Sequence, residues 1–182
     1  MAPGCLITIR SRRRGKSVLW RSGGLVYVGV MESPLHDYAS TILDRAKVGH
    51  IGVIAEGRPY VTPISFAHNA DVVYMRMAPG RRLQAITEIP DVSFEVVTIG
   101  DDGQTWESVV IAGTAHRVGE EREIAAALGL LLEKYRDEHV GLAWVVPGLL
   151  PEPAEIVKLV ATEVTVRSSV RGFGPGIRPG RL

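Results

Sequence analysis

Two adjacent arginines behind a glycine turn are the residues of this chain that most suggest chemistry. In Tyr74-Met75-Arg76-Met77-Ala78-Pro79-Gly80-Arg81-Arg82-Leu83 a strand pattern ends, a turn follows, and a helix pattern opens on Arg81 and Arg82. Helix N-termini attract anions, and a guanidinium grips phosphate as a bidentate fork. Arginine at a helix start opposes the macrodipole, so it asks for a compensating partner. A solvated basic helix face is the competing reading. The spacings fit neither a Walker A loop nor a dinucleotide-binding glycine fingerprint.

Two further stretches could hold a ligand. Arg58-Pro59-Tyr60-Val61-Thr62-Pro63-Ile64-Ser65-Phe66 carries Pro63 inside a strand pattern. A proline there leaves backbone N–H and C=O groups unpaired, and such groups can bond the polar rim of a planar heterocycle. An ordinary edge strand is the plainer alternative. Thr105-Trp106-Glu107-Ser108-Val109-Val110-Ile111-Ala112-Gly113 sets Trp106 and Ser108 on one strand face, where an aromatic surface and a hydroxyl could meet one ligand. A core tryptophan and a surface serine compete with that. His36, His50, His68, His116 and His139 show no ligand spacing, so no metal site is expected. Ser65 and Ser108 have no evident His–acid partners, and the Asp101-Asp102 pair sits in a glycine-flanked loop. No catalytic residue is assigned.

The elements that must position these residues follow from periodicity and punctuation. Ser33-Pro34 signals a helix start, and Tyr38, Ile42, Leu43 and Ala46 recur at helical spacing, so 34–46 is expected to be helical. His50–Ala55 and Tyr60–Phe66 read as a hairpin about the turn 56–59, with Pro63 placing the second strand at an edge or bulge. A turn at 68–71 leads into a strand over Val72–Met77. Arg81–Glu88 is a short helix with Leu83, Ala85 and Ile86 apolar, stopped by Pro90. Asp91–Ile99 alternates with Val92, Phe94 and Val96 on one face, and Thr105–Arg117 is a long strand. Glu120–Arg136 is a helix with the stripe Ile124, Leu128, Leu131, Leu132 and Tyr135. The run 140–153 is expected to be a packed loop, and Ile156–Val166 the last strand. Six strands with mostly antiparallel neighbours point to a closed or split barrel rather than a doubly wound sheet.

Composition narrows the class. Of 182 residues, 46% are hydrophobic, enough to bury one core, and no apolar run reaches the ~18 residues of a membrane span. The lone Cys5 excludes an internal disulfide framework and fits a cytoplasmic setting. The net charge of +1 hides an asymmetry: residues 1–30 hold Arg10, Arg12, Arg13, Arg14, Lys16 and Arg21 and no acid, which leaves the remainder at −5. That balance argues against nucleic acid as a partner of the body. Three readings of the arm stay open: an extension ahead of a start at Met31, a solvated basic arm, or an export signal. The chain thus divides into an arm over 1–30, one domain over 31–167, and a flexible tail over 168–182.

Together the three stretches resemble the pyridoxamine 5′-phosphate oxidase-like flavin-binding split barrels, particularly the short, nitroimidazole-resistance-like subfamily. The likeness covers roughly 34–167. It rests on strand order, the run R-P-Y-V-T-P-I-S-F, the turn A-P-G-R-R-L and the strand W-E-S-V-V-I-A-G. The resemblance implies a mainly β fold with flanking helices, a six-stranded antiparallel split β-barrel, and a homodimer holding FMN at its interface. It implies that Val61, Thr62, Pro63, Ile64 and Ser65 line the flavin ring, and that Arg81 and Arg82 reach the phosphate. Arg76, Met77 and Ala78 would complete that end, with Trp106 and Ser108 contributed by a neighbouring strand or subunit. Met77 stands where such proteins often carry a small hydroxyl residue, and Arg82 where they carry lysine. The extended C-terminal substrate signature of true pyridoxamine phosphate oxidases is not apparent. The implied activity is a flavin-dependent oxidoreductase acting on a small organic substrate. A deazaflavin-dependent reductase, or a flavin- or heme-binding carrier or sensor without turnover, remain alternatives.

Overall fold

The computed structural model describes residues 7–10, 37–136 and 154–169. Helix α1 (Asp37–Arg45) buries Ala39, Ile42 and Leu43. A hairpin follows, β2 (Gly49–Ala55) and β3 (Arg58–Ile64), turning at Glu56 and Gly57, both with positive φ. Next come β4 (Phe66–Asn69), β5 (Val72–Met77), the short helix α2 (Arg81–Glu88), β6 (Asp91–Ile99) and β7 (Trp106–Arg117). Helix α3 (Glu121–Lys134) precedes the last strand, β8 (Glu155–Ser168). An N-terminal strand, β1 (Ile7–Arg10), pairs with the second half of β8.

All pairings are antiparallel, and the sheet order is β3-β2-β6-β7-β8-β5-β4, with β1 off this path on β8. The two end strands, β3 and β4, are separated in the chain by Ser65 alone. The sheet must therefore curl until its ends meet. Inward side chains from β2 to β8, among them Ile51, Phe66, Met75, Met77, Phe94, Ile111 and Leu159, form one buried cluster. Burying each such side chain contributes ~1.5–3 kcal/mol. No ladder joins β3 to β4 side by side, so the barrel is split. Side chains close the gap instead. Phe66 packs edge-on against Phe94 with ring centroids 4.9 Å apart. Gly49 lies beneath them, where a Cβ would come within 2.2 Å of the Phe94 ring.

The outer face of the sheet has two halves. Over β4, β5 and the start of β8, α3 packs Ala127, Leu131 and Tyr135 against Ala67 and Ile156. Lys158 on β8 and Tyr74 on β5 both donate to the Glu123 carboxylate of α3, at 2.8 and 3.0 Å. Over β3, β2, β6 and β7 no described element lies on the sheet. A shallow trough of about 470 Å³ runs there across Val61, Gly52, Ser93 and Ala112, which are register neighbours on successive strands.

The expected elements recur with local differences. The Tyr60–Phe66 strand is broken at Ser65, because the chain there crosses from one end of the sheet to the other. That break and β1 raise the strand count from six to eight. Pro63 does lie in an end strand. The two turns are shorter than expected, at 56–57 and 70–71, since their flanking residues join the ladders. Leu132 is 37% exposed, and the smaller Ala127 takes its place against the sheet. β8 runs on to Ser168, paired with Glu107. The Ser33-Pro34 start, the 140–153 loop, Cys5, the rest of the arm and the tail from 170 lie outside the described residues.

Candidate functional site

Alternation in β3 sorts the proline-bearing run onto two faces. Thr62 and Ile64 pair with the inward Ile51 and Gly49, so they look toward α2 and the core. Val61 and Pro63 point to the bare outer face, where Val61 is 64% exposed. Ser65 is exposed at the split. Among the described strands β3 pairs only with β2, so no described strand pairs with its other edge, where Pro59 and Pro63 interrupt the donors.

Arg82 is brought to this edge by the first turn of α2. Its Nη1 donates to Thr62 Oγ1 at 2.9 Å and to the Pro63 carbonyl at 3.3 Å. Its Nε is buried and has no hydrogen-bond partner. Burial holds the guanidinium below its ordinary pKa, with Tyr60 acting weakly the other way. A desolvated cation with one unused donor is short of an anion. Arg81, beside it, stacks its guanidinium over the Tyr60 ring at 4.8 Å and pairs with Glu56 at 3.1 Å.

The helix end itself adds donors. Gly80 caps α2 with φ 157°, a backbone state open essentially to glycine, and no side chain fills the cap. No acid lies in the first turn to offset the macrodipole. A Cβ at Gly80 would meet nothing within 4 Å, so the helix end faces open space. An uncapped N-terminus, an unsatisfied buried Nε and two guanidiniums fit a phosphate monoester.

The remaining expected site residues lie elsewhere. The Met77 side chain is fully buried in the core and cannot offer itself to a ligand. Arg76 is half-buried on the outer side of β5, and Ala78 is exposed at the start of the turn. Trp106 and Ser108 share the outer face of β7, as their spacing implied, and Ser108 Oγ lies 3.3 Å from Glu95 Oε1. β7 is three strands from β3, roughly 14 Å at about 4.8 Å per strand. Within one chain, therefore, Trp106 and Ser108 do not share a small pocket with Arg82. Tyr60, Glu56 and Glu95 were not singled out in the sequence. Only Tyr60 left a signal there, as the aromatic at the centre of the proline-flanked run.

The fold and this site define a class. The family model described as pyridoxamine 5′-phosphate oxidase matches residues 36–168. The chain belongs to that family. An uncharacterised protein of Rhizobium meliloti (strain 1021) is 30% identical over 105 residues, 56% of this chain; the match spans 65% of that relative, just under two thirds of its length. A FAD-binding protein from Mesorhizobium loti superposes with a TM-score of 0.58 at 22% identity, covering 72% of this chain and 90% of its own. A heme-binding protein from Mycobacterium smegmatis gives 0.59 at 20% identity, covering 81% of this chain and 57% of its own. At these identities the likeness carries the fold. No helix among the described residues is long and apolar enough to cross a membrane.

Proposed function

We propose that this protein is an FMN-binding oxidoreductase, a homodimer with one cofactor at each of two equivalent interface sites. The observation that carries the reading is the Arg82 guanidinium, half-buried at an uncapped helix end with its Nε unsatisfied. Arg82 and Arg81 would hold the phosphate. Thr62 and Pro63 keep Arg82 aimed through its Nη1. The free edge of β3 would receive the polar rim of the ring through backbone groups.

In one chain Trp106, half-buried, and Ser108, only 5% exposed, lie on the outer face of β7 away from Arg82, and a site that used them together with Arg82 would need a second chain. A two-fold axis through that face would bring the partner's copy of this surface against β3. The exposed Val61, Val97 and Ile99 on the bare half support burial against a second copy. When bound, FMN supplies hydride chemistry between a donor such as reduced nicotinamide and a small organic substrate. The protein binds, orients and excludes water. The lone Cys5 is compatible with a cytoplasmic setting.

The absorbance spectrum of the purified protein, before and after incubation with FMN, tests the cofactor. The expected result is retained flavin bands in the blue and near ultraviolet after desalting. A Soret band would replace this reading with a heme protein. A colourless protein that does not retain FMN would favour the deazaflavin coenzyme.

A further inference from the structure

At the other end of the 63–66 crossing from Arg82, a single buried hydroxyl ties together three separate segments. Tyr135, just past the end of α3, is 3% exposed. Its Oη accepts from the Phe66 N–H at 2.9 Å, lies 2.7 Å from the Lys47 carbonyl and 3.1 Å from the Phe66 carbonyl. A hydroxyl has one proton to give, and the shorter contact assigns it to Lys47. Phe66 opens β4 directly after the break at Ser65, and Lys47 lies two residues before β2. The same corner is laced by two lysines. Lys134 donates to the Leu43 carbonyl at 2.7 Å and lies over the Phe66 ring at 3.5 Å, while Lys47 donates to the Lys134 carbonyl at 2.8 Å.

The short crossing Pro63-Ile64-Ser65-Phe66 is thus held at both ends. Tyr135 fixes Phe66, and Arg82 fixes Pro63 through its carbonyl. We propose that Tyr135 is a positioning residue for the anion site: by pinning the crossing, it sets where the Pro63 carbonyl and Thr62 hydroxyl hold Arg82. This rests on the reading of Arg82 as the phosphate ligand. Tyr135 bonds Phe66 and Arg82 bonds Thr62 and Pro63, so the effect passes through the backbone of 63–66. Coupling of this kind is reciprocal: whatever the Tyr135 bond does for phosphate binding, phosphate binding must do for that bond.

The test is a double-mutant cycle on the full chain, with FMN and riboflavin as probes. Tyr135→Phe should weaken FMN about fivefold or more and riboflavin hardly at all. In an Arg82→Ala background the same substitution should have no further effect on FMN. Equal losses for both flavins, or an undiminished loss in the Arg82→Ala background, would make Tyr135 a packing residue and overturn the proposal. Arg82→Ala alone reports on the underlying reading: if it leaves FMN affinity unchanged, the phosphate assignment fails first and this proposal with it. Should Tyr135→Phe not fold, the wild-type protein decides. Saturating FMN should slow exchange of the Phe66 amide more than riboflavin does, and equal protection by the two would contradict the coupling.

Discussion

The two halves of the outer sheet face differ in what covers them. Over β4 and β5, the chain supplies its own cover, α3, fastened by Leu131 and Ala127 in the apolar layer and by Glu123 with Lys158 and Tyr74 at its edge. Over β3, β2, β6 and β7 no described element lies, and small residues, Gly52, Ser93 and Ala112, line a trough flanked by an exposed Val61. Both halves belong to one continuous sheet with the same core beneath, so the contrast is not about folding. The covered half is finished by the chain itself. The half that no described element covers borders the edge of β3 where the Arg82 Nε has no partner, and the side chains lining it there are small.

The comparison is broken most severely by removing the cover's anchor. Leu131→Ala should cost ~2–5 kcal/mol in urea unfolding, because the side chain is 1% exposed and its loss leaves a cavity. A cost under ~1 kcal/mol would mean that α3 is not fastened where the contacts place it. Next in size is the proposed phosphate end beside β3. Arg82→Ala should lose ~1.5–3 kcal/mol of FMN binding, about ten- to hundredfold, while riboflavin affinity stays put. Arg82→Lys should be milder, since charge remains and the fork is lost.

A smaller effect sharpens the contrast directly. Val61→Ala, the bare-face counterpart of Leu131→Ala, should change the unfolding free energy of the isolated chain by no more than ~0.5 kcal/mol. Val61→Asp should leave the fold intact yet shift light-scattering mass from dimer to monomer, because each copy would bury a charge. A dimer that survives Val61→Asp would place the interface elsewhere.

The smallest expected effect lies away from both halves, under α1. Tyr38 and Arg45 of that helix both bond the buried Glu107 carboxylate. Burial first, then the Glu107 hydrogen bond and charge, raise the Tyr38 hydroxyl from 10.0 to about 12. The folded value lies above the unfolded one, so the contribution of neutral Tyr38 is complete below about pH 10 and is lost as pH rises through about 12. Melting temperature should therefore fall more steeply in that window for the wild type than for Tyr38→Phe. Equal slopes would mean that another group carries the alkaline loss.

Much of the fold was legible because local and global signals agree in it. Arg81–Glu88, with Leu83, Ala85 and Ile86 inward, and Asp91–Ile99, with Val92, Phe94 and Val96 inward, follow from periodicity and from Pro90 between them. Ser65 was not legible as a break, because nothing in Pro63-Ile64-Ser65-Phe66 marks a crossing between sheet ends; only the strand order makes it one. Leu132 was misplaced because a leucine beside Leu131 fits a helical stripe as well as Ala127 does, and only the packing of α3 on Ala67 and Ile156 shows which of them is buried. At the site, the turn chemistry around Gly80 and the paired arginines pointed to an anion. Period-two alternation could have warned that Thr62 and Val61 face opposite ways and that Met77 turns inward. Tyr135 left no signal toward Arg82, since their link runs through a backbone crossing that sequence does not reveal.

The central claim is that two chains together complete two flavin sites. Native mass spectrometry of the protein incubated with FMN measures both parts at once. The expected result is a dimer carrying two FMN molecules, with the FMN-bearing dimer lost in Val61→Asp. A monomer carrying one FMN, or a dimer that takes up none, would contradict it.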